Sequence, residues 1–335
     1  MAAVKLAIDF DSACTNIYRI GSGMVLSEPT VAAVEDGDRG EIKAIGEEAS
    51  RLIGKTGKNT AIVFPVFEGE IVSERVAAGV LGGFLKKLGL GGAFKDVSAI
   101  FAVPCGADYQ MIEAYRRVAK AAGISKTHFA ETPMLSALGQ RIPFTDSKPC
   151  FVVDMAGGTT NIAALSLDGI IAGISVNIGG NKISADLIDY VAERFGLQTG
   201  LQTAERLKRE LGSLESGDAL SGVINGRDVQ SGSPRAIAVK AFEIAEPIKN
   251  YFDKIAEITT SVLKKLPPEV SAEIHRSGIY VSGAASCVYG LGDYYESKFG
   301  MRVHVAENGA SAVALGGGIA LSDKNLLKKV ELDCK

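Results

Sequence analysis

A chain of 335 residues, 47% hydrophobic and 22% charged, is long enough for two lobes and too apolar to be disordered. Its formal net charge of −3 gives no electrostatic case for a nucleic-acid partner. Five scattered cysteines without a CxxC pair, and three isolated histidines, argue against a zinc centre or a disulfide framework and fit a reducing compartment.

The start MAAVKLAIDF has no signal-peptide core and enters a strand at once. No apolar stretch approaches the roughly 20 residues that span a bilayer, so a cytoplasmic protein is expected. Short β-branched runs follow one another: VKLAIDF, TNIYRIG and TVAAVED. Helical spacing takes over in SERVAAGVLGGFLKKL, AIFAVP at 99–104 reads as a buried strand, and YQMIEAYRRVAKAAG as an amphipathic helix stopped by Gly123. This alternation predicts α/β layers.

At 150–180 the pattern restarts in CFVVDMAGGTTNIAALSLDGIIAGISVNIGG, again three apolar runs separated by turns. Asp9 is followed by Thr15-Asn16-Ile17, and Asp154, at the same spacing, by Thr160-Asn161-Ile162. In both copies an apolar strand ends in the Asp and a second strand begins at the Thr. An internal duplication is the expectation, with two lobes each offering one turn to a shared cleft. Further on, NKISADLIDYVAERF, TAERLKRELG and the long RAIAVKAFEIAEPIKNYFDKIAEITTSVLKKL read as helices, the last kinked or divided at Pro247. SGIYVSGAASCVYGLGDYY reads as a strand, a small-residue turn and a helix.

DMAGGTTN carries the strongest chemical signal. Consecutive glycines let backbone N–H groups converge on an anion, and Thr159 and Thr160 add hydroxyls. Asp154, at the strand end, suits a Mg²⁺ ion held through water. A Gly-rich hairpin turn would look similar, but two related turns in one chain favour the anion site. Glu205 and Lys208, three apart on one helical face, can meet ribose hydroxyls and an adenine edge, or form an ordinary surface ion pair. The small residues of VSGAASC can let a flat base lie against backbone, or let a helix pack close to a strand.

In order along the chain, IDFDSACTNIY, VLSEPTVAAV, FAVPCG, AETPMLSALG, VVDMAGGTTNIAALSLDGI, VNIGGNKI, TAERLKRELGS, LPPEV, GIYVSGAASCVYGL and ALGGGIAL resemble the actin-like ATPase superfamily and, within it, the MreB family of bacterial actins. The resemblance implies an actin-like α/β fold with duplicated lobes around a central ATP/ADP–Mg²⁺ cleft. The first lobe is expected over 1–145, with a small inserted subdomain at about 30–75, and the second over 146–335, with a small helical subdomain at about 182–255. It further implies homopolymeric filaments of paired protofilaments, held peripherally at the inner membrane face. There they support cell shape and cell-wall synthesis, with membrane-bound cell-shape proteins as partners.

By position, the resemblance assigns Asp11, Ser12, Ala13, Cys14 and Thr15 to the first phosphate turn and Gly157, Gly158 and Thr159 to the second. Asp9 and Asp154 become the acids around Mg²⁺, Glu205 and Lys208 meet the nucleoside, and Gly283, Ala284, Ala285, Ser286 and Cys287 border the base.

The departures from the family pattern are concentrated in this cleft. The family's first turn reads Asp-x-Gly, and here Asp11 replaces the Gly. A carboxylate about 4 Å from a phosphate charge costs roughly 4 kcal/mol at an effective dielectric of about 20, close to a thousandfold in affinity, unless Mg²⁺ or Lys screens it or the side chain turns away. Where the family carries Glu-Glu-Pro, the acid that positions the attacking water is here Thr132, preceded by Glu131. Threonine is no base near neutral pH, so slow hydrolysis is expected. Ala156, Ala284 and Ala285 each add a methyl where the family has glycine.

In KKLGLGGAFKD, Leu90, Ala93 and Phe94 sit in a glycine-rich loop beside lysines, where the family has a hydrophobic membrane loop. A loop tucked onto its own domain is the alternative. The same fold also serves small-molecule kinases, but no separate catalytic acid is evident, and the chain ends too early for a peptide-binding chaperone domain. A non-hydrolysing pseudo-ATPase scaffold, and an actin that positions organelles or plasmids, are alternatives within the filament reading.

Overall fold

The computed structural model describes residues 4–35, 40–90, 96–143, 148–166 and 169–332. The chain opens with β1 (Val4–Phe10), β2 (Cys14–Arg19) and β3 (Gly23–Pro29), three antiparallel neighbours. A separate small sheet follows, β4 (Ala32–Glu35), β5 (Ile42–Ile45) and β6 (Thr60–Val63), and then a hairpin, β7 (Val66–Phe67) and β8 (Glu70–Ile71). β9 (Val97–Val103) and β10 (Lys126–Glu131) return parallel to β1 and complete a sheet of order β10-β9-β1-β2-β3.

β11 (Cys150–Met155), β12 (Thr160–Ser166) and β13 (Gly169–Val176) repeat the antiparallel trio. After a three-stranded sheet of β14 (Leu197–Gln198), β15 (Ser221–Asp228) and β16 (Pro234–Lys240), the strands β17 (Ile279–Ser282) and β18 (Val303–Val305) join β11 in parallel. The order β18-β17-β11-β12-β13 is that of the first sheet, strand for strand. Register repeats as well: Asp9 faces Asn16 and Phe10 faces Thr15, as Asp154 faces Asn161 and Met155 faces Thr160.

Each leading strand feeds two cores, because its side chains alternate between the sheet's faces. Leu6, Ile8 and Phe10 enter the first lobe's core, while Phe151, Val153 and Met155 enter the second's. The opposite faces, through Ala7, Cys150 and Val152, meet in a third core between the lobes. The helices Thr132–Gly139 and Ala312–Ser322 fill that core and cross in close contact. Glycine is required at the crossing: a Cβ on Gly316 would lie 1.7 Å from the Leu135 carbonyl oxygen, and one on Gly139 1.8 Å from that of Ala312.

Three expectations are corrected. RAIAVK is not helical but forms β16, an edge strand where Pro234 has no ladder bond to supply, so the stretch 182–255 holds a sheet as well as helices. Pro247 does not kink a helix; it lies in the first turn of Ala245–Leu263, where its missing N–H has no intrahelical partner to lose. Leu90 is 5% exposed and belongs to the first lobe's core. The helix Glu74–Lys87 ends on Gly89 at φ 68°, and Leu90 donates its N–H back to the Leu85 carbonyl at 2.8 Å. An apolar residue after such a cap folds inward, so Leu90 is unavailable to a membrane; Ala93 and Phe94 lie outside the described residues.

Candidate functional site

The two strand–turn–strand units put their turns face to face. Residues 11–13 link β1 to β2, and residues 156–159 link β11 to β12. They touch so closely that a Cβ on Gly157 would lie 2.2 Å from that of Ala13, and one on Gly158 2.3 Å from Ser12 Oγ. The helix Gly180–Phe195 begins against the second turn, with Gly180 N–H donating to Ala156 O and Asn181 N–H to Gly157 O, both at 2.9 Å. In the first turn Thr15 Oγ1 lies 2.8 Å from Thr30 Oγ1, which ties that turn to the start of the small sheet.

The duplicated asparagines hold the lobes together reciprocally. Asn16 donates to the Ala310 carbonyl at 3.1 Å, and Asn161 accepts from Cys105 N–H at 2.8 Å. Asn161 also donates to Thr159 Oγ1 at 3.3 Å. The tip of the β7–β8 hairpin closes the same junction: Gly69 N–H donates to Ser12 Oγ at 3.4 Å, and Tyr115 Oη donates to Gly69 O at 3.0 Å. Glu68, at φ 50°, sits in the left-handed region at that tip. The Asn roles were foreshadowed by the repeated Thr-Asn-Ile; the Phe-Glu-Gly-Glu hairpin left only the weak signal of one glycine.

Beneath the turns is a cavity of about 150 Å³ lined by Asp9, Asp11, Asp154, Ala13, Cys14, Ala156, Gly157, Gly283 and Ala284, among others. No Lys or Arg is among its lining residues. Three acids without a cation make the space hostile to bare anions. Burial, together with repulsion from Asp11 and Asp154, pushes the Asp9 carboxyl well above its usual range. Burial and the Asp11 charge, against a hydrogen bond from Ser282, push Asp154 up to about 7.

Asp154 Oδ1 accepts from Ser282 Oγ at 2.6 Å, and Ser282 Oγ lies 2.6 Å from Ser136 Oγ on the interlobe helix. Asp154 Oδ2 is buried with no partner, the mark of a group built for a ligand. That orphaned oxygen, beside two further carboxylates, fits a hydrated Mg²⁺. Among the described residues no group of three or more His, Cys, Asp or Glu side chains is placed to hold a metal ion directly.

Asp11 does not turn away. Its Oδ2 accepts from Gly157 N–H at 2.8 Å and from Ala13 N–H at 3.3 Å, so it bridges the two turns. Burial raises its pKa, opposed by these backbone donors.

Glu131 ends β10 and Thr132 begins the helix that follows. Thr132 is buried and donates to Val103 O at 2.9 Å, while Glu131 Oε1 accepts from Gly106 N–H at 2.6 Å. Neither lines the cavity.

Of the nucleoside candidates, Glu205, Lys208 and Ala285 meet at the start of the helix Gly180–Phe195, while Ser286 and Cys287 line a separate hollow with Tyr289 and Glu307. Lys208 Nζ is 2.9 Å from Glu205 Oε1 and donates to Gly180 O at 3.0 Å and to Ser184 Oγ at 2.9 Å. Ala285 packs on the same glycine, its Cβ 3.3 Å from where a Gly180 Cβ would stand. Gly283, at φ 90°, admits no side chain, since a Cβ would fall 2.1 Å from Met155 O. Ser286 Oγ donates back to Gly283 O at 2.7 Å, and Ala284 and Cys287 are exposed. A wider cleft of about 550 Å³ shares Ala13 with the small cavity and is lined by Ser12, Asn181, Glu205, Arg206 and Arg209.

The family model described as MreB/Mbl protein matches residues 3–329. The chain is 33% identical over 326 residues to the cell shape-determining protein MreB of Escherichia coli, covering 96% of this chain and 94% of that protein. Crystal structures of MreB5 of Spiroplasma citri, bound to AMPPNP or to ADP, superpose with a TM-score of 0.90 at 26% and 27% identity, covering 98% of each chain. The subunit of the MamK double helical filament shares the fold with a TM-score of 0.80 at 18% identity, over 96% of this chain and 99% of that one. The chain therefore belongs to the MreB/Mbl family and has the actin-like fold.

Proposed function

We propose that this protein binds ATP and ADP with Mg²⁺ between its lobes and self-assembles into cytoskeletal filaments at the inner membrane face, in support of cell shape. The observation that carries the reading is the cavity where both copies of the strand–turn–strand unit converge, with Asp9, Asp154 and the backbone N–H groups of both turns around it. Ser12, Ala13, Cys14, Gly157, Gly158 and Thr159 would hold the phosphates. Asp9 and Asp154 would hold hydrated Mg²⁺, whose charge the cation-free cavity requires. Glu205 and Lys208 would meet the ribose and base edge, and Gly283 to Cys287 the base. MreB5 has been crystallised bound to AMPPNP and to ADP, and the Escherichia coli relative is a cell shape-determining protein.

Hydrolysis is proposed to be slow. A water attacking a terminal phosphate needs a base aimed at it. Thr132 donates to Val103 O and is no base near neutral pH, and Glu131, held by Gly106 N–H, does not line the cavity. The bridging of the turns by Asp11 favours a second reading, a scaffold that assembles without nucleotide.

Pelleting with and without Mg-ATP, with phosphate release measured in the same tubes, tests both. Nucleotide-dependent pellets with little phosphate are expected. Pellets indifferent to nucleotide would favour the second reading, and no pellet at any concentration would overturn the filament.

A further inference from the structure

We infer that Asp11 is a tethered anion seated in the phosphate cradle, which latches the two turns to each other and makes the site discriminate against nucleoside triphosphates relative to diphosphates. The inference rests on the nucleotide reading above and goes beyond it by assigning a selectivity residue.

Three observations carry it. First, Asp11 Oδ2 accepts from Gly157 N–H in one lobe and Ala13 N–H in the other, at 2.8 and 3.3 Å, so one oxygen uses donors that the two turns would offer a phosphate. Second, the fit is tight: a Cβ on Gly157 would meet Asp11 Oδ2 at 2.7 Å. Third, the space beneath the turns holds about 150 Å³ and shares Ala13, one of the residues that Asp11 holds, with the wider cleft of about 550 Å³. A phosphate that reaches from the wider cleft for the Ala13 and Gly157 N–H groups must displace the carboxylate.

The duplication supplies an internal control. Asp154 aligns with Asp9 in register, which puts Ala156 at the position equivalent to Asp11. Ala156 has no side chain able to reach across, so the latch is a property of one turn only. The displaced carboxylate stays tethered near the phosphates, and its repulsion grows with their number. A diphosphate with Mg²⁺ therefore loses less than a triphosphate does.

The test uses the full chain and the variants Asp11→Gly, Asp11→Ala and Asp11→Asn. The glycine is the residue usual in the family, and the asparagine keeps the shape without the charge. Hydrogen exchange at the Gly157 amide, read without nucleotide, reports the latch. Titration with Mg-ADP and Mg-AMPPNP reports selectivity. Asp11→Gly and Asp11→Ala should speed Gly157 exchange, and all three variants should lower the ratio of AMPPNP to ADP dissociation constants by about tenfold or more. Asp11→Asn should change the ratio while preserving more of the protection, since its amide oxygen still accepts from Gly157.

Measurable binding with an unchanged ratio in every variant, or Gly157 exchange unaffected by Asp11→Gly and Asp11→Ala, would overturn the inference. If wild type and variants bind neither nucleotide, the nucleotide reading falls and with it the selectivity. Faster Gly157 exchange in Asp11→Gly would then still establish the latch, and unchanged exchange would dispose of it too.

Discussion

The two turns at the centre of this molecule descend from one pattern and have come to opposite chemistry. Their flanking strands pair in the same register, and their asparagines reach into the opposite lobe from equivalent positions. Yet the second turn is Ala-Gly-Gly-Thr, open backbone that offers N–H groups, while the first is Asp-Ser-Ala, with a carboxylate that consumes them. Sheet register is fixed by many hydrogen bonds and two buried faces, so it tolerates little drift. A turn side chain facing a cavity is held by far fewer contacts, as Asp11 is by two backbone donors. Ligand preference can therefore change at one position without disturbing the scaffold.

This asymmetry can be attacked from its strongest point downward. Gly157→Val should have the largest effect. Its side chain would enter the space of Ala13 Cβ, 2.2 Å from the added Cβ, and either part the turns or distort them. A destabilisation of about 1–3 kcal/mol is expected from such overpacking, read by denaturant unfolding, with nucleotide binding lost in the same protein.

Next come the asparagines. Asn161→Ala strips Cys105 N–H of its acceptor and should cost about 1–2 kcal/mol. Asn16→Ala strips Ala310 O of a donor and also removes the acceptor of Ser27 Oγ at 2.8 Å, so a similar loss of about 1–2 kcal/mol is expected. A loss confined to one of the two variants would contradict the reciprocal tie.

Asp154 gives an effect of a different kind, visible in pH dependence. Its carboxyl is held up to about 7, chiefly by burial. From about pH 4 upward the unfolded chain has released a proton that the folded, ligand-free protein retains to about pH 7. Stability from this group is therefore complete at low pH and lost as pH rises through that window. Asp154→Asn should flatten this fall in Tm between pH 4 and 7, and Mg-ADP should offset it in wild type. Ala156→Gly, which removes one methyl from the cavity wall, should be the mildest change, shifting Tm by about a degree or two and leaving binding within a few fold.

How far such features could be read in advance depended on how local their causes are. The duplication was legible because Asp9 and Asp154 carry the same Thr-Asn-Ile at the same spacing, and a strand's alternation is written in consecutive residues. The close approach of the two turns was legible from their small residues. The direction of Asp11 was not, because it depends on a donor, Gly157, 146 residues away in sequence. Leu90 misled for a related reason. A glycine-rich apolar stretch suits a loop and a helix cap equally, and only the Leu85 carbonyl tells them apart. RAIAVK satisfied a helical period until β15 supplied the ladder that made it a strand.

The central claim is that both turns, together, make one nucleotide site. Calorimetric titration of the purified protein with Mg-ADP tests it most directly. One site per chain, lost in Gly157→Val and weakened when Mg²⁺ is chelated, is the predicted result. No heat of binding at millimolar nucleotide, or binding that survives Gly157→Val unchanged, would contradict it.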